Sequence, residues 1–214
     1  MKALSASQRE TLTTLANVYY EVVPLKLRTY CSLTAQISEV VLQRFGIEAA
    51  AVPCQLWCST SDHEYEIGFV GNQPKEGKWD GHAICVAGDW FIDTALSHLQ
   101  AEFGINVPPV AFAPRFTVPT QVIGRIDCGE QKCLSWYHPP SGVDTRMPEE
   151  PAALVYEYSS QLIARLETIQ RPSDGNPRRT GATPGDHRLR LTAQISDELC
   201  EVRRLPVKPC GCRR

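Results

Sequence analysis

Gly81-His82-Ala83-Ile84-Cys85-Val86-Ala87-Gly88-Asp89-Trp90-Phe91-Ile92-Asp93 consists of two short apolar runs on either side of a Gly-Asp pair. Glycine takes the positive φ that a two-residue hairpin turn requires, so Gly88-Asp89 predicts a tight antiparallel turn. With two turn residues, Ala87 faces Trp90 and Ile84 lies opposite Asp93. Side chains alternate along a strand, so His82 shares the face of Ile84 and becomes a diagonal neighbour of Asp93, roughly 7–8 Å away at the backbone. Two side chains close such a gap. A turn one residue longer would put them on opposite faces.

The sequence around this hairpin predicts helices first and strands after. Ser7-Gln8-Arg9-Glu10 fits a capping box, Leu12, Leu15, Tyr19 and Val22 follow at helical spacing, and Pro24 ends that helix. A second helix is expected over 31–45, with Leu33, Ile37, Val40, Val41 and Phe45 as its apolar stripe and Gly46 just past its end. Residues 47–57 read as a strand, with Pro53 at an edge or bulge position. Residues 63–69 alternate polar and apolar as a half-buried strand does, and 71–80 read as a loop. Further strands are expected over 121–127 and 133–138. A last helix over 151–170 carries Leu154, Tyr158, Leu162, Leu166 and Ile169 on one face. The expected class is α+β, with N-terminal helices packed on an antiparallel sheet made from 47–138 and the helix 151–170 closing one side.

The 214 residues suit one domain with a tail. The formal net charge of -2 hides an asymmetry: residues 1–170 carry -7 and residues 171–214 carry +5. Pro, Gly, Arg and Asp dominate the tail, which is expected to be mostly disordered. An acidic body argues against nucleic acid as its partner. Nine cysteines in no tight secreted-domain pattern, and a start that lacks the apolar core of a signal peptide, point to a reducing cytoplasm. Export by a route that reads no cleavable signal stays open. No apolar run reaches the length needed to span a bilayer. The hexapeptide Leu-Thr-Ala-Gln-Ile-Ser occurs at 33–38 and again at 191–196, but Leu189 stands where the first copy has Cys31, so the second copy carries no second nucleophile.

Cys31 opens the second predicted helix. A thiolate is the nucleophilic form of cysteine, and a helix N-terminus and a neighbouring imidazolium both favour it. Along the chain the order is therefore nucleophile, base and orienter: Cys31, His82 and Asp93. Each has a plainer reading. A cysteine near a helix start is often a small core hydrophobe, a strand histidine a satisfied polar group, and Asp93 a cap for the segment 94–103. The shared order, spacing and face favour the triad.

Tyr30-Cys31, Phe45-Gly46-Ile47, Gly81-His82-Ala83-Ile84 and Asp89-Trp90-Phe91-Ile92-Asp93-Thr94 together resemble the core of transglutaminase-like proteins, the papain-type thiol fold that also includes arylamine N-acetyltransferases. The resemblance covers residues 28–97. It implies Cys31 as nucleophile, His82 as general base and acid, and Asp93 as orienter. It also implies acyl transfer through an acyl-thioenzyme, with no cofactor. The backbone N–H of Cys31 is one expected oxyanion donor, and Gln55 is the candidate for a second. Trp79 and Trp90 flank the triad and are candidate walls of a substrate cleft, or core aromatics at strand ends.

The expected substrate is a peptide, a protein or a small amide or ester. An amidase, peptidase or deamidase is favoured, because no acetyl-carrier signature is present. Transfer to an amine is the alternative, and a non-catalytic binding protein is a further one. Structural zinc is a rival on Cys54, Cys58 and His63, or on Cys128, Cys133 and His138, although neither set has a tight paired knuckle.

Overall fold

A computed structural model describes residues 2–68, 81–116, 121–142 and 144–171. The chain divides after residue 172, and all described residues belong to the first unit. They form helices α1 (Ala6–Val22), α2 (Cys31–Arg44), α3 (Ser97–Phe103) and α4 (Ala152–Gln170). The strands are β1 (Ala49–Ser59), β2 (Glu64–Ile67), β3 (His82–Ala87), β4 (Trp90–Asp93), β5 (Ala111–Pro114), β6 (Val122–Gly129) and β7 (Lys132–Tyr137). The class is α+β with an antiparallel sheet.

Helix α1 has its capping box two residues earlier than Ser7. Ser5 is the N-cap, its hydroxyl accepting from Gln8 N–H at 3.2 Å while Gln8 Oε1 accepts from Ser5 N–H at 3.0 Å. Both registers suit the local chemistry, and a tertiary contact selects between them. Leu4 is buried, and its N–H donates to Asp89 Oδ1 at 2.8 Å. Lys2 runs so close to the hairpin turn that a Cβ on Gly88 would stand 2.6 Å from its carbonyl oxygen. Residues 2–4 are thus fixed against the turn, and the helix starts where that anchor ends.

The hairpin has the predicted register. Ala87 pairs with Trp90 and Cys85 with Ile92, around a two-residue turn in which Gly88 has φ +55°. A positive φ at the first turn position is the glycine signature of a type II′ turn.

The sheet runs in the order β5-β4-β3-β1-β7-β6, with β2 also on β1, and every pairing is antiparallel. Long β1 joins its two halves, pairing with β3 over Ala49–Cys54 and with β7 and β2 further on. Where β7 does not reach, no strand among the described residues borders β1, and α2 covers that edge: Glu39 Oε2 accepts from Ala51 N–H at 2.9 Å, and Gln43 Nε2 donates to Ala49 C=O at 2.9 Å. Pro53 follows with the same parity as these two residues, where a missing N–H costs no ladder bond. At the far ends the sheet nearly closes, since Phe116, just past β5, donates its N–H to Ile123 of β6 at 2.9 Å.

Alternation sends the two faces of β3 and β4 into different cores. Ala49, Cys85, Ala87 and Ile92 meet the helices, against Leu12, Leu15 and Tyr19 of α1, Leu33, Ile37 and Val41 of α2, and Leu162 and Leu166 of α4. Cys54, Leu56, Ile84 and Phe91 turn to the inside of the curved sheet with Ile123, Leu134 and Trp136. Helix α4 lies against α1 and α2, so its main packing is helix on helix. Val40 and Ile169, expected on apolar faces, are 39% and 45% exposed, and Leu42 is buried in the stripe of α2.

Helix α3 and strand β5 were not anticipated by the sequence reading. The expected loop 71–80, the tail and the repeated hexapeptide at 191–196 lie outside the described residues. Among the described residues, no helix is long and apolar enough to cross a membrane.

Candidate active site

Cys31 is the first residue of α2, and Tyr30 is its N-cap with no side-chain capping bond. The first helical hydrogen bond runs from Thr34 N–H to Tyr30 C=O at 3.0 Å. The N–H groups of Cys31, Ser32 and Leu33 therefore have no intrahelical acceptor. A capping Ser or Asp would occupy that end of the helix; its absence leaves donors and a positive dipole beside the Cys31 sulfur.

Arg28 sets the approach to this start. Its guanidinium donates to Val23 C=O at 2.5 Å and to Tyr20 C=O at 2.8 Å, capping the end of α1, and lies 4.1 Å over the Tyr20 ring. Behind Cys31 a buried polar chain joins three elements. Tyr19 donates its hydroxyl to Thr34 C=O at 3.4 Å, Ser38 donates to the same carbonyl at 2.9 Å, and Ser38 meets the Thr94 hydroxyl at 3.4 Å. The strand end that carries Asp93 is thereby tied to the helix that carries Cys31.

His82 and Asp93 lie on the inner face of the hairpin, their side chains 2% and 0% exposed. His82 Nε2 is 2.6 Å from Asp93 Oδ2. Trp136 Nε1–H donates to the same oxygen at 2.8 Å, and Ala95 N–H donates to Oδ1 at 3.0 Å. Burial acts most strongly against each charge, yet the pair overcomes it. Asp93 is held below the usual carboxylate range by the His82 charge and by bonds from His82, Ala95 and Trp136. His82 is pushed up to about 10 against burial, by the Asp93 charge and hydrogen bond and then by a side-chain hydrogen bond with Cys31. Because Nε2 is taken by Asp93, Nδ1 is the nitrogen left for Cys31.

Cys31 and His82 share a cleft of about 470 Å³, also lined by Thr29, Gly68, His98 and Glu102. The other predicted site residues fall elsewhere. Gln55 is buried and donates its Nε2 to Gly68 C=O at 2.8 Å; it is not part of the cleft lining. Trp90 is half-buried against Phe112, with ring centroids 6.2 Å apart, and packs on the helix-side core away from the cleft. Trp79 lies outside the described residues. Cys54 and Cys58 are buried in the inner core. Among the described residues, no group of three or more His, Cys, Asp or Glu is arranged to hold a metal.

The sequence reading missed two residues of the site. Trp136 sits on a predicted strand, and a buried indole N–H needs an acceptor, which was the available signal. His98 follows Asp93 by five residues on α3; its ring centroid is 5.3 Å from that of His82. Comparison with known proteins finds no matching family model, no matching curated protein and no matching solved structure.

Proposed function

We propose that the chain is a cysteine-dependent enzyme of the transglutaminase-like, papain-type class, which acts on an amide, ester or thioester carbonyl through Cys31, His82 and Asp93. One observation carries this reading. A fully buried His–carboxylate pair, with three donors converging on the carboxylate, lines one cleft with a cysteine at an uncapped helix start. A merely structural histidine does not need a second nucleophilic partner across a cleft.

His82 Nδ1 takes the Cys31 proton as the sulfur attacks the carbonyl carbon, which forms the C–S bond and places a negative charge on the carbonyl oxygen. Cys31 N–H at the helix start meets that oxyanion. As the oxyanion collapses, the bond to the leaving group breaks and His82 Nδ1–H supplies its proton. Neutral His82 then takes a proton from water as the water oxygen attacks the acyl carbon; the second oxyanion collapses, the C–S bond breaks, and the Cys31 sulfur recovers its proton from His82 as the acid leaves. Asp93 stays ionised throughout and holds the ring in the orientation that presents Nδ1. Hydrolysis of an amide is the favoured direction.

Selective alkylation tests the reading. At about pH 6 iodoacetamide is expected to label Cys31 well ahead of the other cysteines, and His82→Ala to abolish the preference. Equal labelling of all accessible cysteines, unchanged in His82→Ala, means the reading is wrong. Trapping of an acyl adduct on Cys31 from a panel of amides, esters and thioesters then identifies the carbonyl class.

A further inference from the structure

His98 is only 6% exposed, yet its ring forms part of the cleft wall beside Cys31 and His82. Its Nδ1 stands 2.7 Å from Ala95 C=O. A carbonyl only accepts, so Nδ1 carries the hydrogen and Nε2 of the neutral ring is a bare lone pair. That lone pair is buried and has no hydrogen-bond partner among the described residues. Burial first, and then the His82 charge, hold His98 below the usual histidine range, so the ring stays an acceptor at neutral pH. A packing role alone is served by an apolar ring of the same shape, without an unpaired buried nitrogen. A ring in the cleft wall thus carries an acceptor with no donor among the described residues. Glu66 and Glu102 line the same cleft, and their charges disfavour an anionic group there.

We propose that His98 is a specificity residue whose Nε2 accepts a hydrogen bond from an N–H of the group held at Cys31, so that the cleft selects N–H-bearing amides over esters and tertiary amides. This rests on Cys31 being the nucleophile. The contact adds no covalent step: it orients the amide plane while the sulfur attacks. An ester or a dialkylated amide leaves Nε2 unpaired and loses that alignment.

Two probes of similar reactivity separate the claims, chloroacetamide with its N–H donors and N,N-dimethylchloroacetamide without them. Alkylation of Cys31 in the full chain is followed by peptide mass spectrometry, with each rate divided by that of glutathione. The expected normalised preference for chloroacetamide is roughly tenfold, the size of one well-placed hydrogen bond. In His98→Phe the preference should fall to near unity; His98→Leu repeats the comparison with a smaller side chain. A normalised preference near unity in the native protein overturns the role of His98 and leaves Cys31 as nucleophile if Cys31 still reacts selectively. Failure of both probes to favour Cys31 over the other cysteines overturns the thiol-enzyme reading and this inference together.

Discussion

Trp136 donates its indole N–H to Asp93 Oδ2 at 2.8 Å, the oxygen that also meets His82 Nε2 at 2.6 Å. The interior of the curved sheet thus reaches into the candidate site through one carboxylate atom. Trp136 is itself fully buried and stacks at a tilt on Phe91, with ring centroids 4.8 Å apart. A strand 43 residues downstream of Asp93 therefore helps to keep that carboxylate ionised.

Trp136→Phe keeps an aromatic ring against Phe91 and removes only the donor. A hydrogen bond to a charged group contributes about 1.5–3 kcal/mol, and the substitution should lower stability by that order. The urea midpoint measures it; an unchanged midpoint with an unchanged slope means the indole bond carries no weight.

Asp93→Asn and Asp93→Ala should separate charge from hydrogen bonding. Asparagine keeps one acceptor oxygen in place of two, so it serves Trp136 or Ala95 but not both, and it loses the charge that supports imidazolium; the His82 ring titration seen by NMR should move down from about 10. Alanine leaves Trp136 and Ala95 N–H unpaired and strips a buried cation of its partner, which costs about 3–5 kcal/mol. If both variants unfold at the same urea concentration, the carboxylate bonds contribute nothing to the difference.

Stability should peak near neutral pH, with the two histidines acting on opposite sides. The folded pKa of His82 is raised from 6.5 to about 10, so its contribution is complete below pH 6.5 and lost as pH rises toward 10. His98 is lowered from 6.5, so below that value the unfolded chain takes up a proton that the buried ring resists, and stability falls with falling pH. The alkaline decline attributable to His82 starts before the buried thiols of Cys54 and Cys85, whose unfolded value is 9.0. Urea midpoints at about pH 6.5 and about pH 8.5 should therefore differ in the native chain and converge in His82→Asn. Parallel behaviour of the two proteins would falsify the assignment.

Gly124→Ala should disturb the site from a distance. A Cβ on Gly124 would collide with the Phe91 ring, and Phe91 backs Trp136. Overpacking of this kind costs about 1–3 kcal/mol. Thermal unfolding reads the loss, and the indole N–H resonance of Trp136 reports whether the bond to Asp93 lengthens.

The hairpin of His82 and Asp93 was legible because it rests on local rules. A Gly-Asp pair sets a two-residue turn, a period of two fixes which side chains share a face, and both act over thirteen residues. The start of α2 at Cys31 was legible for the same reason, from helical spacing and Gly46. Where two local registers were equally good, at Ser5 and Ser7, the choice fell to residues 2–4 docking on a turn more than 80 positions away. Gln55 and Trp90 show the limit from the other side: each has the right residue type on a strand of the sheet that carries the site, and each is turned to other partners in space.

By itself the sequence determined the α+β class, the strand register that brings His82 and Asp93 to one face, and a cysteine at a helix start. Only the tertiary structure decided that this face is the inside of a nearly closed sheet, that Trp136 completes the carboxylate, and that His98, whose Nε2 has no partner among the described residues, lines the same cleft. The reason is physical. Register and capping are set by neighbours along the chain, whereas the partners of a buried polar atom are set by which distant elements pack over it.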